Sequence, residues 1–291
     1  MCFSKFEIAR VSKKIHKSGQ SNGKKTRQLL IFSCMNIQLA HLIPPTIIVV
    51  LTFGLIYSIR YTLRYAWQKT GLPKERVDQQ VRWVQMGLYT WLLLLAALSV
   101  RGWIEADAGL PDRLLWIMAP PIVALLWLLI DPRFAPTLKA IPESWIIYGQ
   151  SFRFLLDLFL YLGYQSGFVP VQMTFLWLNF DFTVGLTAPL AGYVFFTKRR
   201  YHRFEGILWN VFGIALLLHN FMIAFISYPG PQRVFLRWPD SSFLADFPYS
   251  WIVGFLIPLA LGLHALSLKQ ILNAPRGQRR SFSLNRSRNS E

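Results

Sequence analysis

The stretch Trp91-Leu92-Leu93-Leu94-Leu95-Ala96-Ala97-Leu98-Ser99-Val100 carries no charge and no break, and Ile122-Val123-Ala124-Leu125-Leu126-Trp127-Leu128-Leu129-Ile130 repeats the pattern. Unbroken apolar runs of this kind read as helices in lipid. A transmembrane barrel would show ten-residue segments of alternating polarity instead. Working outward from these two runs gives seven apolar stretches, at residues 42–59, 83–100, 114–130, 152–171, 182–197, 206–227 and 251–272. Each is close to the roughly 20 residues that cover about 30 Å of hydrocarbon as a helix. Backbone polar groups find no water there, so helices are the expected form. The expected fold class is all-α, a polytopic transmembrane bundle of seven helices forming one membrane domain over residues 36–272.

Lys and Arg alternate from loop to loop, and cytoplasmic loops are the enriched ones. The segments 60–82, 131–151 and 198–205 and the tail from Lys269 onward hold 18 of them, whereas the intervening loops hold four, Arg101, Arg113, Arg233 and Arg237. The amino terminus is expected outside and the carboxyl terminus in the cytoplasm of a bacterial inner membrane. Residues 1–34 oppose this scheme with eight further basic residues. Either Met35, which opens a segment free of Lys and Arg ahead of the first span, is the natural start, or the preceding segment is removed or disordered. Residues 1–35 are thus expected as a disordered or non-native extension, and 273–291, rich in Arg, Ser and Asn, as a disordered basic tail.

Both cysteines, Cys2 and Cys34, lie in that extension, which leaves no disulfide or cysteine metal site for the membrane domain. The net charge of +17 resides mostly in tails and cytoplasmic loops. Anionic lipid headgroups are the partner this implies, and nucleic acid is not. No cofactor is expected.

The fourth span carries the densest polar pattern. Gln150, Arg153, Asp157, Tyr161 and Tyr164 are spaced 3, 4, 4 and 3, which at 100° per residue confines them to an arc of about 80°. A charged group facing lipid at mid-membrane costs roughly 2.5–3.5 kcal/mol, so this stripe is expected to face the bundle or a wet cavity. Alternatively, Arg153 and Asp157, at i and i+4, neutralise each other near the headgroups. On the same helix Gly163 and Gly167 form a GxxxG spacing, which fits a helix–helix dimer or ordinary packing within the chain.

A second polar group belongs to the outer side: Gln165, Asp181, Thr187, His219 and Asn220, with Gln172, Thr174, Asn179 and Thr183. At 1.5 Å per residue Gln165, Thr187 and His219 each lie roughly 10 Å below the outer surface, where they are expected to line a ligand-binding vestibule. Prolines recur every 69 residues, at Pro120, Pro189 and Pro258. They either mark broken helices around a site or reflect the frequency of proline in membrane helices. The two intramembrane histidines differ in depth, His219 about 20 Å and His264 about 8 Å from the cytoplasmic side. That spread excludes paired axial ligation of one haem, and no metal-ligand motif is present. The seventh span has no interior lysine for a retinal Schiff base.

The stretches Pro170-Val171-Gln172-Met173-Thr174-Phe175, Asn179-Phe180-Asp181 and Gly185-Leu186-Thr187-Ala188-Pro189, with Pro258-Leu259-Ala260, His264 and Leu268 near the end, resemble uncharacterised bacterial seven-helix integral membrane proteins. The resemblance covers about half of the membrane domain. It implies the architecture and no particular chemistry, and Leu176-Trp177-Leu178 departs from it where a more polar loop is expected. Three functions fit the residues: a non-enzymatic protein that binds or transports a small apolar or amphipathic solute, a lipid-acting enzyme with Asp157 or His219 as acid or base, and an accessory subunit of a membrane complex.

Overall fold

A computed structural model describes residues 23–105, 112–197 and 203–274, and these are helical with no strand among them. Among the described residues nine α-helices follow in order: α1 Gly23–Lys69, α2 Lys74–Val100, α3 Asp112–Ile130, α4 Ala135–Ala140, α5 Glu143–Gly149, α6 Phe152–Gln165, α7 Phe182–Ala191, α8 Arg203–Ser227 and α9 Ile257–Asn273. Contacts divide the chain into two units at Pro44 and Pro45. The first contributes only the start of α1, from Gly23, to the described residues, and the rest of the expected extension lies outside them. The second, from Pro45 onward, holds everything below. The expected basic tail falls, from residue 275 on, outside the described residues.

Five helical stretches are long and apolar enough to cross a membrane: Leu42–Lys69, Lys74–Val100, Arg113–Ile130, Arg203–Ser227 and Ile252–Asn273. Their outward faces carry large apolar side chains, with Trp83, Leu93, Val100, Trp116, Trp127 and Ile130 each more than 60% exposed. Water would penalise so much contiguous apolar surface, whereas lipid does not. The last stretch is the central one. Some 56% of its apolar window is buried, against 28% or less for the other four, and His264, Ser267 and Gln270 on α9 are enclosed by protein.

Connections gather at two poles. At the basic pole, the Trp67 indole donates to the Thr137 hydroxyl at 3.1 Å, and Gln270 donates to the Leu138 and Ile141 carbonyls. Ala66, Leu138, Ile141 and Ile146 make a small core there. Helices α1 and α2 extend past their apolar stretches to meet at a tight turn, Thr70–Pro73, so much of the expected loop 60–82 is helical; Arg64 and Asp78 pair across it at 3.0 Å. At the opposite pole, Ser99 donates to the Ala245 carbonyl, and Phe159, Phe168, Phe243 and Tyr249 pack ring on ring. The main core runs between the poles.

The fourth and fifth apolar stretches depart most from expectation. The fourth is two helices, α5 and α6, joined by a tight turn in which Gln150, Ser151, Arg153 and Phe154 each bond the carbonyl three residues back. It ends at Gln165, not 171. The fifth is α7 followed by a π-helical turn, Gly192–Thr197. A Cβ on Gly185 would run into the Phe154 backbone, and one on Gly192 into the Tyr148 ring. Helix α7 therefore lies antiparallel against the 148–154 half of the fourth stretch and begins about level with Asp157, eight residues or about 12 Å short of Gln165. The chain covers that distance in the irregular segment 166–181, which packs Val169, Gln172, Met173, Thr174 and Asn179 into the protein.

Candidate functional site: a buried guanidinium network

The tight turn at the α5–α6 junction aims Gln150 and Arg153 inward, and Asp157 follows one turn later. All three are buried, whereas Tyr161 and Tyr164 are half-buried, Tyr161 stacked on Phe175 with centroids 5.1 Å apart. The inner half of the expected stripe is thus the buried half.

Arg153 is 1% exposed. Its Nε donates to Asp181 Oδ2 at 2.8 Å and its Nη2 to Asp181 Oδ1, which makes the ion pair bidentate. Nη2 also reaches the Gly213 carbonyl at 3.3 Å, and Nη1 lies 2.8 Å from His264 Nε2. The carboxylate bonded to the guanidinium is Asp181, from the far end of segment 166–181, and not the i+4 neighbour Asp157. Asp181 precedes α7 without capping it through its side chain, which leaves both oxygens to the arginine. The positive end of the helix adds to the stabilisation of that carboxylate.

The hydrogen bonds fix the histidine tautomer. Asn210 Nδ2 donates to the Gly206 carbonyl at 2.8 Å and to Ser267 Oγ at 3.0 Å, so Asn210 Oδ1 is the acceptor facing His264 Nδ1 at 3.0 Å. Nδ1 carries the proton, and Nε2 accepts from Arg153. Gly213 leaves room for this ring, since a Cβ there would collide with it. The Trp209 ring lies 5.4 Å away.

On the other side of Arg153, Asn179 ties the segment to α6. Its Nδ2 donates to Asp157 Oδ1 at 2.5 Å and to the Met173 carbonyl at 3.0 Å, while its Oδ1 accepts from the Asp181 amide at 2.8 Å. Asp157 Oδ2 is buried with no hydrogen-bond partner, and so is Gln150 Oε1, whose amide nitrogen donates to the Ala260 carbonyl at 2.9 Å. One polar chain thus runs Ser267–Asn210–His264–Arg153–Asp181–Asn179–Asp157 through α9, α8, α6 and segment 166–181. Burying these groups is costly unless each is paired, so the chain locks four elements into one geometry.

The expected vestibule residues are placed apart. The His219 ring lies 3.1 Å from the Leu178 carbonyl and packs near Phe180, whereas the Thr187 hydroxyl donates to the Thr183 carbonyl and accepts from Trp209 Nε1 at 3.3 Å. Trp209 and His219 are ten residues apart on α8, about 15 Å along the axis, so Thr187 and His219 mark different levels. Gln165, Thr187 and His219 are all exposed. Asn220 is half-buried, its Oδ1 without a partner, and Asp181 belongs to the network. The Gly163–Gly167 spacing forms no helical face either. Gly167 follows the end of α6 at φ +80°, and a Cβ on Gly163 would strike Phe168 and Val169 of the same chain.

His264, which meets Arg153, and Asn210 and Ser267, which extend the chain beyond it, each interrupt an apolar run, the one signal by which a buried polar contact announces itself in a membrane helix. Among the described residues no three His, Cys, Asp or Glu side chains stand close enough to hold a metal. Two apolar grooves, of about 420 Å³ beside Trp83 and Trp91 and about 580 Å³ beside Trp116 and Trp127, open on outward faces and include no residue of the network. No protein-family model, no curated protein and no solved structure matches the chain.

Proposed function

We propose that this chain is a seven-span protein of a bacterial inner membrane, amino terminus outside and carboxyl terminus cytoplasmic, that binds or transports a small apolar or amphipathic solute without chemical turnover. Beside the five long helices, the broken stretches 143–165 and 182–197 supply the two further crossings. The first has 23 residues, about 34 Å of helix, and the second, shorter, is completed by segment 166–181. The basic pole then faces the anionic headgroups of the cytoplasmic leaflet.

The observation that carries the solute reading is the fifth stretch. A half-helix begins inside the bundle, preceded by irregular backbone and held by a buried guanidinium. Such irregular backbone at membrane depth is tolerated where it is enclosed by protein or lines a cavity, and transporters use it to present polar groups to a solute. Solute contacts are proposed on the 178–181 side, at His219 and Asn220, with Asp181 behind them holding Arg153, Gln165 at the entrance and Thr187 on a different level. Native mass spectrometry of the full chain released from lipid nanodiscs tests this: a small solute should remain bound to the wild type and be lost from a folded His219→Ala/Asn220→Ala variant. A second reading, the accessory subunit, draws on Phe175, Leu176, Trp177 and Phe180, which are 39–52% exposed on the same segment. A stoichiometric protein partner in place of a solute would favour it.

A further inference from the structure

The network contains one more anion than it has cations. Among the described residues Arg153 is the only buried Lys or Arg, and Asp181 takes its Nε and Nη2. His264 accepts from Nη1 through Nε2, so it is neutral and supplies no second cation. Asp157 is left with one hydrogen bond, from Asn179 to Oδ1, and with an Oδ2 that is enclosed and unpaired; the residue is 3% exposed. The titratable and charged groups near it are Arg153, Tyr161 and Tyr164 on its own helix, Asp181 beyond Asn179, and His264 on α9, and none of them bonds Oδ2.

An uncompensated carboxylate in such a place is far costlier than a neutral acid. It can be neutralised by a metal ion or by a proton. A hard cation needs several oxygen ligands at once, and among the described residues no cluster of three acidic or imidazole groups surrounds Oδ2. A proton needs a single oxygen. We infer that Asp157 is a proton-binding site, carrying a proton on Oδ2 while Asp181 engages Arg153. Arg153 stands one helical turn before Asp157 on the same face, so the guanidinium can reach either carboxylate. Movement of segment 166–181 that withdraws Asp181 and Asn179 frees Arg153 to turn to Asp157, and the proton on Oδ2 then leaves for water or for Asp181. The arrangement couples proton binding to the position of that segment. It rests on the charge count alone, and a protein found to bind no solute would still show it.

The test uses the full chain in lipid nanodiscs, treated with a lipophilic carbodiimide, which modifies protonated carboxyls in apolar surroundings. Peptide mapping should find the adduct on Asp157 of the wild type, declining as pH rises, and none on Asp181. Infrared spectra provide a second measurement: the carbonyl band of a protonated carboxylic acid should be present in the wild type, persist in Asp240→Asn and be missing from Asp157→Asn. The inference is overturned by an adduct on Asp181 instead of Asp157, by protection with sodium ions at fixed pH, or by absence of the adduct together with an infrared band unchanged in Asp157→Asn.

Discussion

Arg153 determines how the other buried polar residues must behave. Removing one partner of a buried ion pair leaves an uncompensated charge and costs about 3–5 kcal/mol, whereas replacing both partners by apolar groups costs far less. Arg153→Met and Asp181→Asn should each destabilise the protein by that amount, and Arg153→Met/Asp181→Leu by less than either single change. Asp157→Asn should be mild, because the amide keeps an oxygen for Asn179 and introduces no unpaired charge. Thermal unfolding in detergent ranks the four variants; a larger loss for Asp157→Asn than for Asp181→Asn would make Asp157 the true partner of the guanidinium. The spacing of Gln150, Arg153 and Asp157 made the buried face legible in the sequence, since a shared helical face follows from residue numbers alone. The Arg153–Asp181 pair was not legible. It depends on segment 166–181 turning back into the bundle, and the sequence around Phe175, Leu176 and Trp177 has no periodicity that reveals such a path. The i, i+4 neighbour Asp157 was the nearer candidate in sequence and the wrong one in space.

Breaks in the helices give the elements their particular contacts. Pro258 has no N–H, so the Gly254 carbonyl four residues back lacks its helical donor, and the π-helical turn Ile252–Leu256 lies directly before it. Trp91 Nε1 fills the gap, donating to that carbonyl at 2.9 Å from α2. Trp91→Phe should therefore cost about 1 kcal/mol, and less in a Pro258→Ala background where a backbone donor returns; a double-mutant cycle measured by unfolding reports the coupling, and additive effects would dissociate the indole from the break. The other two prolines of the 69-residue recurrence differ from Pro258: Pro189 lies inside α7, three residues before a π-helical turn and not after one, and Pro120 sits inside α3. The segment 228–250, between α8 and the π-helical turn before α9, adds a pH dependence of its own. Burial, and then the charge of Glu105, raise the Asp246 carboxyl above its ordinary range, and burial with Asp246 beside it pushes Tyr249 up to about 12. A raised folded-state value favours the fold below the ordinary carboxylate range, and that contribution is lost as pH rises through the raised value. Hydrogen exchange across 240–250, corrected for the intrinsic rate, should show weaker protection at neutral than at acid pH, and Glu105→Gln should reduce the difference; protection that strengthens toward neutral pH would refute the sign.

Over the whole molecule, lipid as solvent explains both what was readable and what was not. Five long helices were visible because hydrocarbon selects on length and composition, two properties a sequence displays directly. The fourth and fifth stretches blur because their polar groups are satisfied by tertiary partners, so neither length nor apolarity marks their ends. The same physics sets an expectation for the orientation. Trp67 with Thr137, Gln270 with Leu138 and Arg203 with Leu272 bring the Lys- and Arg-rich connections to one pole, while Ser99 with Ala245 and Gln172 with Ser227 bring the Arg-poor ones to the other. Translocating the basic pole would carry nearly all of the membrane domain's loop charge across the bilayer, so it should remain in the cytoplasm. A reporter active only in the cytoplasm should therefore function when inserted at the Thr70–Pro73 turn or fused after Leu272, and stay silent within 228–250. Insertions within 174–178 should also be silent, because that segment returns from the opposite pole and does not reach the basic one. Activity at 174–178 with silence at Leu272 would mean that the bundle is inserted the other way round, with the basic pole outside, and the level assigned to Arg153 would then be reversed.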